Sequence, residues 1–180
     1  GLGVQMHLGC TNAEAEECLD RTGLSPAELL GCHRLLNVPV TAAGCAALTE
    51  EDKAVLGKKK ATAVVTPCAN AKAGIPVAAV ASTVKAGINV ALGTDGAVEA
   101  GNLDMFEVMR QAAYGERIAA GDPAKFPAPA VLMMATVCGA RAQGRQDECG
   151  MLKEGMDADI VLVDFSAPHL MPCHNVLSGL

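Results

Sequence analysis

The stretch Gly87-Ile88-Asn89-Val90-Ala91-Leu92-Gly93-Thr94-Asp95-Gly96 decides the fold. Gly87 stops the helical pattern before it, the apolar run after it is too short for a helix, and Gly93 to Gly96 turn the chain. It therefore reads as a strand that follows one helix and ends in a turn. Upstream, the same unit recurs. Val4 to Leu8 is strand-like and is followed by helical patterns over Ala13 to Thr22 and Pro26 to Leu36, the second opened by Ser25 as cap and Pro26 at the first helical position. Val38 to Ala43 is a second strand, and Thr49-Glu50-Glu51-Asp52 starts a helix with a cap and an acidic first turn that runs to Lys59. Ala61 to Val65 is a third strand, followed by a helix expected over Pro76 to Lys85. Strand-helix units in series predict an α/β fold with a parallel sheet.

Downstream of Gly96 the texture changes. Leu103 to Ala120 and Ala128 to Gln143 are helical patterns with no strand between them. The turn-rich segment Gly150 to Asp159 then leads into Ile160-Val161-Leu162-Val163-Asp164, expected as a buried strand. This shift sets a boundary near residue 146, giving segments 1–146 and 147–180.

Composition narrows the function. The chain has 180 residues, 51% of them hydrophobic and 2% aromatic, so a core is built from Ala, Val, Leu and Met. A formal charge of −6 argues against nucleic acid as partner, because phosphate binding draws on Lys and Arg. The basic run Lys58-Lys59-Lys60 reads as a solvated helix end. Eight scattered cysteines without a Cys-x-x-Cys pair suit a reduced, cytoplasmic protein better than a disulfide scaffold. No run approaches the roughly 20 apolar residues of a membrane span. The opening lies inside a strand, which sets the expectation that the chain is a piece of a longer polypeptide or assembles with another half.

In parallel α/β folds reactive residues gather at the carboxyl ends of strands. That rule selects His7 after the first strand, Ala43-Gly44-Cys45 after the second, Thr66-Pro67-Cys68 after the third and Asp95 after the fourth. His7 and Asp95 are competent ligands for zinc. Taken alone, a strand-end histidine also serves as a hydrogen-bonded packing residue, and an aspartate in Thr94-Asp95-Gly96 as a turn former.

The order of segments resembles the amidohydrolase superfamily, in particular its methylthioadenosine/S-adenosylhomocysteine deaminase and chlorohydrolase-like branch. The resemblance is carried by Met6-His7-Leu8, Thr22-Gly23-Leu24-Ser25-Pro26, Leu48-Thr49-Glu50-Glu51-Asp52, Pro67 with Asn70 and Lys72, and Gly87 to Gly96. It continues through Leu103 to Glu107, Met134-Ala135-Thr136 with Gly139-Ala140-Arg141, Gly150 to Asp159, and Pro168-His169 with His174-Asn175.

The resemblance implies that residues 1–146 are the second half, strands five to eight, of a metal-dependent (β/α)8 barrel. Residues 147–180 would be the returning part of a small β-sandwich domain. It makes His7 the fifth-strand metal ligand and Asp95 both a metal ligand and the catalytic proton acceptor, with zinc as the metal. Glu99 follows that turn as a candidate substrate contact, whereas Asp104 reads as a helix cap and His33, His169 and His174 as structural. The implied activity is hydrolytic deamination of an aminopurine or nucleoside-type small molecule.

Two departures bear on it. The family places a glutamate three residues after the fifth-strand histidine and a histidine at the end of strand six; here those positions are Cys10 and Gly44. Neither replaces a carboxylic acid or an imidazole in proton transfer. Impaired deamination is therefore expected, with a non-catalytic scaffold or assembly subunit and a chlorohydrolase as alternatives. The partner implied is the missing amino-terminal half of the barrel, or a homo-oligomer.

Overall fold

The fold is known from a computed structural model, which describes residues 2–179. Four parallel strands lie side by side in chain order: β1 (Val4–Leu8), β2 (Val40–Gly44), β3 (Thr62–Val65) and β4 (Asn89–Leu92). Each crossover is helical. After β1 come α1 (Asn12–Thr22) and α2 (Pro26–Cys32), after β2 comes α3 (Glu50–Lys58), and after β3 come α4 (Pro67–Ala73) and α5 (Val80–Lys85). Beyond β4 lie α6 (Ala97–Ala100), α7 (Met105–Ala120), α8 (Ala128–Ala135), α9 (Val137–Ala142) and, near the end, α10 (Val176–Gly179).

Register sorts the strand residues onto two faces. Gln5, Thr41, Thr62 and Asn89 form one row across the sheet, and His7, Ala43, Val64 and Ala91 form the next. Because side chains alternate along a strand, both rows share one face, the inner one. Their neighbours point outward. Leu8, Val40, Ala42 and Ala63 pack with Ala27, Leu30 and Leu56 of the helices, while Val65, Val90 and Leu92 pack with Val80, Val108, Met109 and Ala112. Small residues on these strands let the helices approach closely.

The amino end of the inner face has a polar floor. Thr41 Oγ1 donates to the Ala142 carbonyl at 3.0 Å, and Asn89 Nδ2 donates to the Cys138 carbonyl at 3.0 Å and to Thr62 Oγ1 at 3.2 Å. The bonds to Ala142 and Cys138 seat α9 against β2 and β4. At the other side of the sheet, Asp52 is fully buried at the joint between α2 and α3. Its Oδ1 accepts from Ser25 Oγ at 2.6 Å and Ala27 N at 3.0 Å, and its Oδ2 from Thr49 N and Oγ1, both at 3.1 Å. One carboxylate thus serves the amino termini of two helices.

Four expectations are corrected. The expected strand Ile160–Asp164 forms no ladder; Val161 and Leu162 are 76% and 92% exposed. A strand needs a neighbour to take its backbone groups, and among the described residues none lies beside this segment. The helix expected from Pro76 begins only at Val80, whose amide donates to Glu116 Oε1 at 2.7 Å. The pattern over Ala128 to Gln143 is broken at Thr136, with φ −120° and ψ −88°, into α8 and α9. The helix expected to reach Leu36 ends at Cys32, and a 3-10 turn over Leu35–Asn37 follows.

Candidate functional site

The carboxyl ends of the strands open onto a cavity of about 450 Å³. His7, Cys10, Gly44, Thr66, Asp95 and Glu99 are among its lining residues. His7 is the penultimate residue of β1 and belongs to the inner-face row, so its ring stands in the mouth of the half-barrel. Asp95 comes from the turn after β4 and holds φ at +62°, a left-handed conformation that aspartate tolerates better than most residues. Its Oδ1 accepts from Gly96 N at 3.0 Å. That same oxygen lies 3.8 Å from His7 Nε2, so residues 88 positions apart in the chain meet across the sheet.

Around this pair the two departures from the family's pattern are physically linked. Cys10 Sγ lies 3.4 Å from His7 Nδ1 and donates to the Ala43 carbonyl at 3.6 Å. Gly44 has φ +92°, and a Cβ built there would stand 2.3 Å from Cys10 Sγ. The thiol occupies the space into which a side chain at 44 would project. Burial, followed by the negative charge of Glu14, pushes the Cys10 thiol above its ordinary range, so it is held as a neutral thiol. Cys45 is buried, its sulfur donates to the Ala42 carbonyl at 3.3 Å, and desolvation pushes its pKa up to about 12.

The chemistry of this donor set admits a metal ion in part. Zinc binds imidazole nitrogen and carboxylate oxygen at about 2.0–2.2 Å. A single ion therefore reaches both His7 Nε2 and Asp95 Oδ1 across their 3.8 Å separation. Cys10 cannot join them on that ion, because its sulfur sits beside the opposite ring nitrogen. Among the described residues no group of three or more His, Cys, Asp or Glu side chains is arranged to hold an ion. Glu99 lies in α6 at the cavity rim, where its carboxylate packs over Gly96. His33, His169 and His174 are exposed and do not line the cavity.

Two residues escaped the sequence reading of roles. Glu14 is the third residue of α1, and its two carboxylate oxygens accept from Gly9 N and Cys10 N at 2.8 Å each. Its signal was the Thr11-x-x-Glu14 spacing of a helix cap. Lys72 in α4 donates from Nζ to the Val98 carbonyl, tying α4 to the segment after Asp95. Nothing in the local sequence marks that contact.

This fold and site define a class. Residues 1–178 match the model of the amidohydrolase family, and the chain belongs to that family. Its four parallel strands with their helices are strands five to eight of a (β/α)8 barrel. The chain is 43% identical over its whole length to the 5-methylthioadenosine/S-adenosylhomocysteine deaminase of Moorella thermoacetica, and it spans 42% of that protein. Among solved structures it is similar to a zinc-bound adenosine deaminase from Xanthomonas campestris, with 32% identity and a TM-score of 0.93 over 98% of this chain and 40% of that one. It is also similar to a zinc-complexed atrazine chlorohydrolase from Arthrobacter aurescens, with 25% identity and a TM-score of 0.89 over 99% of this chain and 39% of that one. The chain thus spans about two fifths of the length of the relatives it matches.

Proposed function

We propose that this chain forms the part of a zinc-dependent hydrolytic deaminase that contributes His7 and Asp95 to the reaction centre, with an aminopurine nucleoside as substrate. The observation that carries this reading is the 3.8 Å approach of His7 Nε2 to Asp95 Oδ1 at the mouth of the half-barrel. Bound zinc lowers the pKa of water to about 7 and so supplies a hydroxide nucleophile at neutral pH. His7 would hold the ion through Nε2, which would leave the ring proton on Nδ1 facing Cys10 Sγ at 3.4 Å, while the Cys10 hydrogen goes to Ala43 O. Asp95 would accept the proton of the attacking water, and Glu99, at the cavity rim, would contact the substrate.

The remaining ligands and the opposite wall come from an amino-terminal half-barrel. Residues 147–180 would be the returning segment of a second, smaller β domain. The eight free thiols suit a reducing compartment, the cytoplasm. Among the described residues no helix is long and apolar enough to cross a membrane.

A second reading is favoured by one observation. Cys10 fills the space at Gly44, so neither an acid nor an imidazole stands where the family's pattern has them. On that reading the chain is an amidohydrolase-derived scaffold without turnover. The test is ammonia release from methylthioadenosine, S-adenosylhomocysteine and adenosine, with zinc and a complementary amino-terminal half supplied. The deaminase reading expects turnover to rise at least about 10²-fold in the doubly substituted C10E/G44H chain, since acid-base assistance contributes about 10²–10⁴-fold. It also expects that turnover to vanish in the triple variant that adds D95N. No turnover by either chain supports the scaffold.

A further inference from the structure

The turn between β1 and α1 is held by a device that neither the metal ligands nor the barrel requires. Gly9 N and Cys10 N both point at one side chain, Glu14, whose Oε1 and Oε2 each accept at 2.8 Å. Glu14 sits at the third position of α1, where its own amide donates to Thr11 Oγ1 at 3.1 Å. In a capping box the carboxylate at this position reaches back to the amide of the cap residue itself. Here it reaches one and two residues further, past Thr11 to Cys10 and Gly9.

The carbonyl side of the same turn is held from the segment that follows β2. Cys45 N donates to Leu8 O at 3.1 Å and Ala47 N donates to Gly9 O at 2.8 Å. Gly9 adopts φ +59°, and a Cβ there would stand 2.8 Å from Leu48 Cδ2. Only glycine fits this position without strain or a clash with Leu48, and Glu14 holds the amide side of the turn. His7 stands two residues before this turn and contacts Cys10 inside it through Nδ1.

We propose that Glu14 is the positioning residue of the site: by binding the amides of Gly9 and Cys10 it fixes the turn that supports the His7 ring and presents Nε2 to Asp95. The inference rests on the reading of His7 and Asp95 as a metal-binding pair. Charge-assisted hydrogen bonds from backbone amides to a carboxylate are short and about twice as strong as neutral ones, which suits a clamp that must hold a ligand's orientation. Glu14 touches neither substrate nor metal and acts through His7.

The test uses the full chain labelled with nitrogen-15. In the unmodified protein, amide exchange at Gly9 and Cys10 is expected to be slow. E14A raises it at least tenfold and shifts the ring-nitrogen resonances of His7, while exchange at Ala42 to Gly44 stays within twofold. E14Q, which keeps one acceptor oxygen, restores protection at one of the two amides; it also serves if E14A fails to fold. T11A removes the cap of the same helix and leaves both amides protected. The proposal is overturned if E14A or E14Q leaves both amides and the His7 ring unchanged, or if T11A reproduces their effect, which would reduce Glu14 to a helix-stability residue. Cobalt(II) added to the unmodified chain tests the underlying reading separately. Paramagnetic broadening at His7 and Asp95 supports it and its weakening in E14A supports the clamp, whereas absence of broadening rejects the metal pair and leaves the exchange result to decide on Glu14.

Discussion

Cys10 and Gly44 share one space: the sulfur of the first stands 2.3 Å from where the Cβ of the second would be. Substituting either one alone is therefore a different experiment from substituting both. Gly44→Ala must place a side chain at φ +92° and against the thiol, and is expected to destabilise the chain by about 1–3 kcal/mol. Cys10→Ala removes the obstructing sulfur. The double variant C10A/G44A should recover about 1 kcal/mol of the loss, measured as the coupling energy of a double-mutant cycle in urea. Additive effects would show that the two positions are independent.

Metal retention follows from the donor count. A catalytic zinc has three protein ligands, and this chain brings His7 and Asp95 to within 3.8 Å, with no group of three or more His, Cys, Asp or Glu arranged to share an ion among the described residues. Dialysis against dilute chelator should leave well under one zinc per chain. H7A and D95N should each abolish what remains. One tightly held ion per chain would contradict this donor set.

The Cys45 thiol makes stability depend on alkaline pH. Its pKa rises from an ordinary value of 9.0 to about 12 in the fold, chiefly through desolvation. A folded pKa above the unfolded one stabilises the protonated, folded chain; that contribution is whole below pH 9 and is lost as pH rises toward 12. Stability should fall across this window with a slope approaching about 1.4 kcal/mol per pH unit from this one group. C45A should flatten the slope in urea titrations between pH 8.5 and about 10.5. Equal slopes in both chains would place the titrating group elsewhere.

Asp52 concentrates four hydrogen bonds in a fully buried carboxylate. D52A strands the donors of Ser25, Ala27 and Thr49 at the amino termini of two helices, and a loss of about 3 kcal/mol is expected. D52N keeps the shape and loses acceptor strength, so it should cost less than D52A. A change below about 1 kcal/mol for D52A would mean that water replaces the carboxylate without penalty.

The strands were legible because each is a short apolar run closed by turn residues, and Asp95 and His7 were legible because strand ends are where side chains meet. What brings those two within 3.8 Å is the register of four strands, and no local pattern records it. Helix α4 was hidden because Pro67 and Cys68 read as the end of a strand, although proline at the first helical position is a start signal. The break at Thr136 was hidden because the apolar spacing runs on across it, from Met133 and Met134 to Val137 and Ala140. Its hydroxyl turns back to the Leu132 carbonyl at 2.7 Å, a bond that depends on the conformation already reached. Ile160–Asp164 read as a strand on local preference alone, which cannot supply the neighbour that a ladder needs.

The polar floor formed by Thr41, Thr62 and Asn89 under α9 sets the alignment of β2, β3 and β4 at the end of the sheet opposite His7 and Asp95. Architecture and chemistry are thereby assigned to different storeys of one scaffold. Residues at the mouth, Cys10 and Gly44 among them, can drift or be redesigned as a matched pair while the foundation keeps its register. A chain built this way can change or lose its reaction without losing its shape.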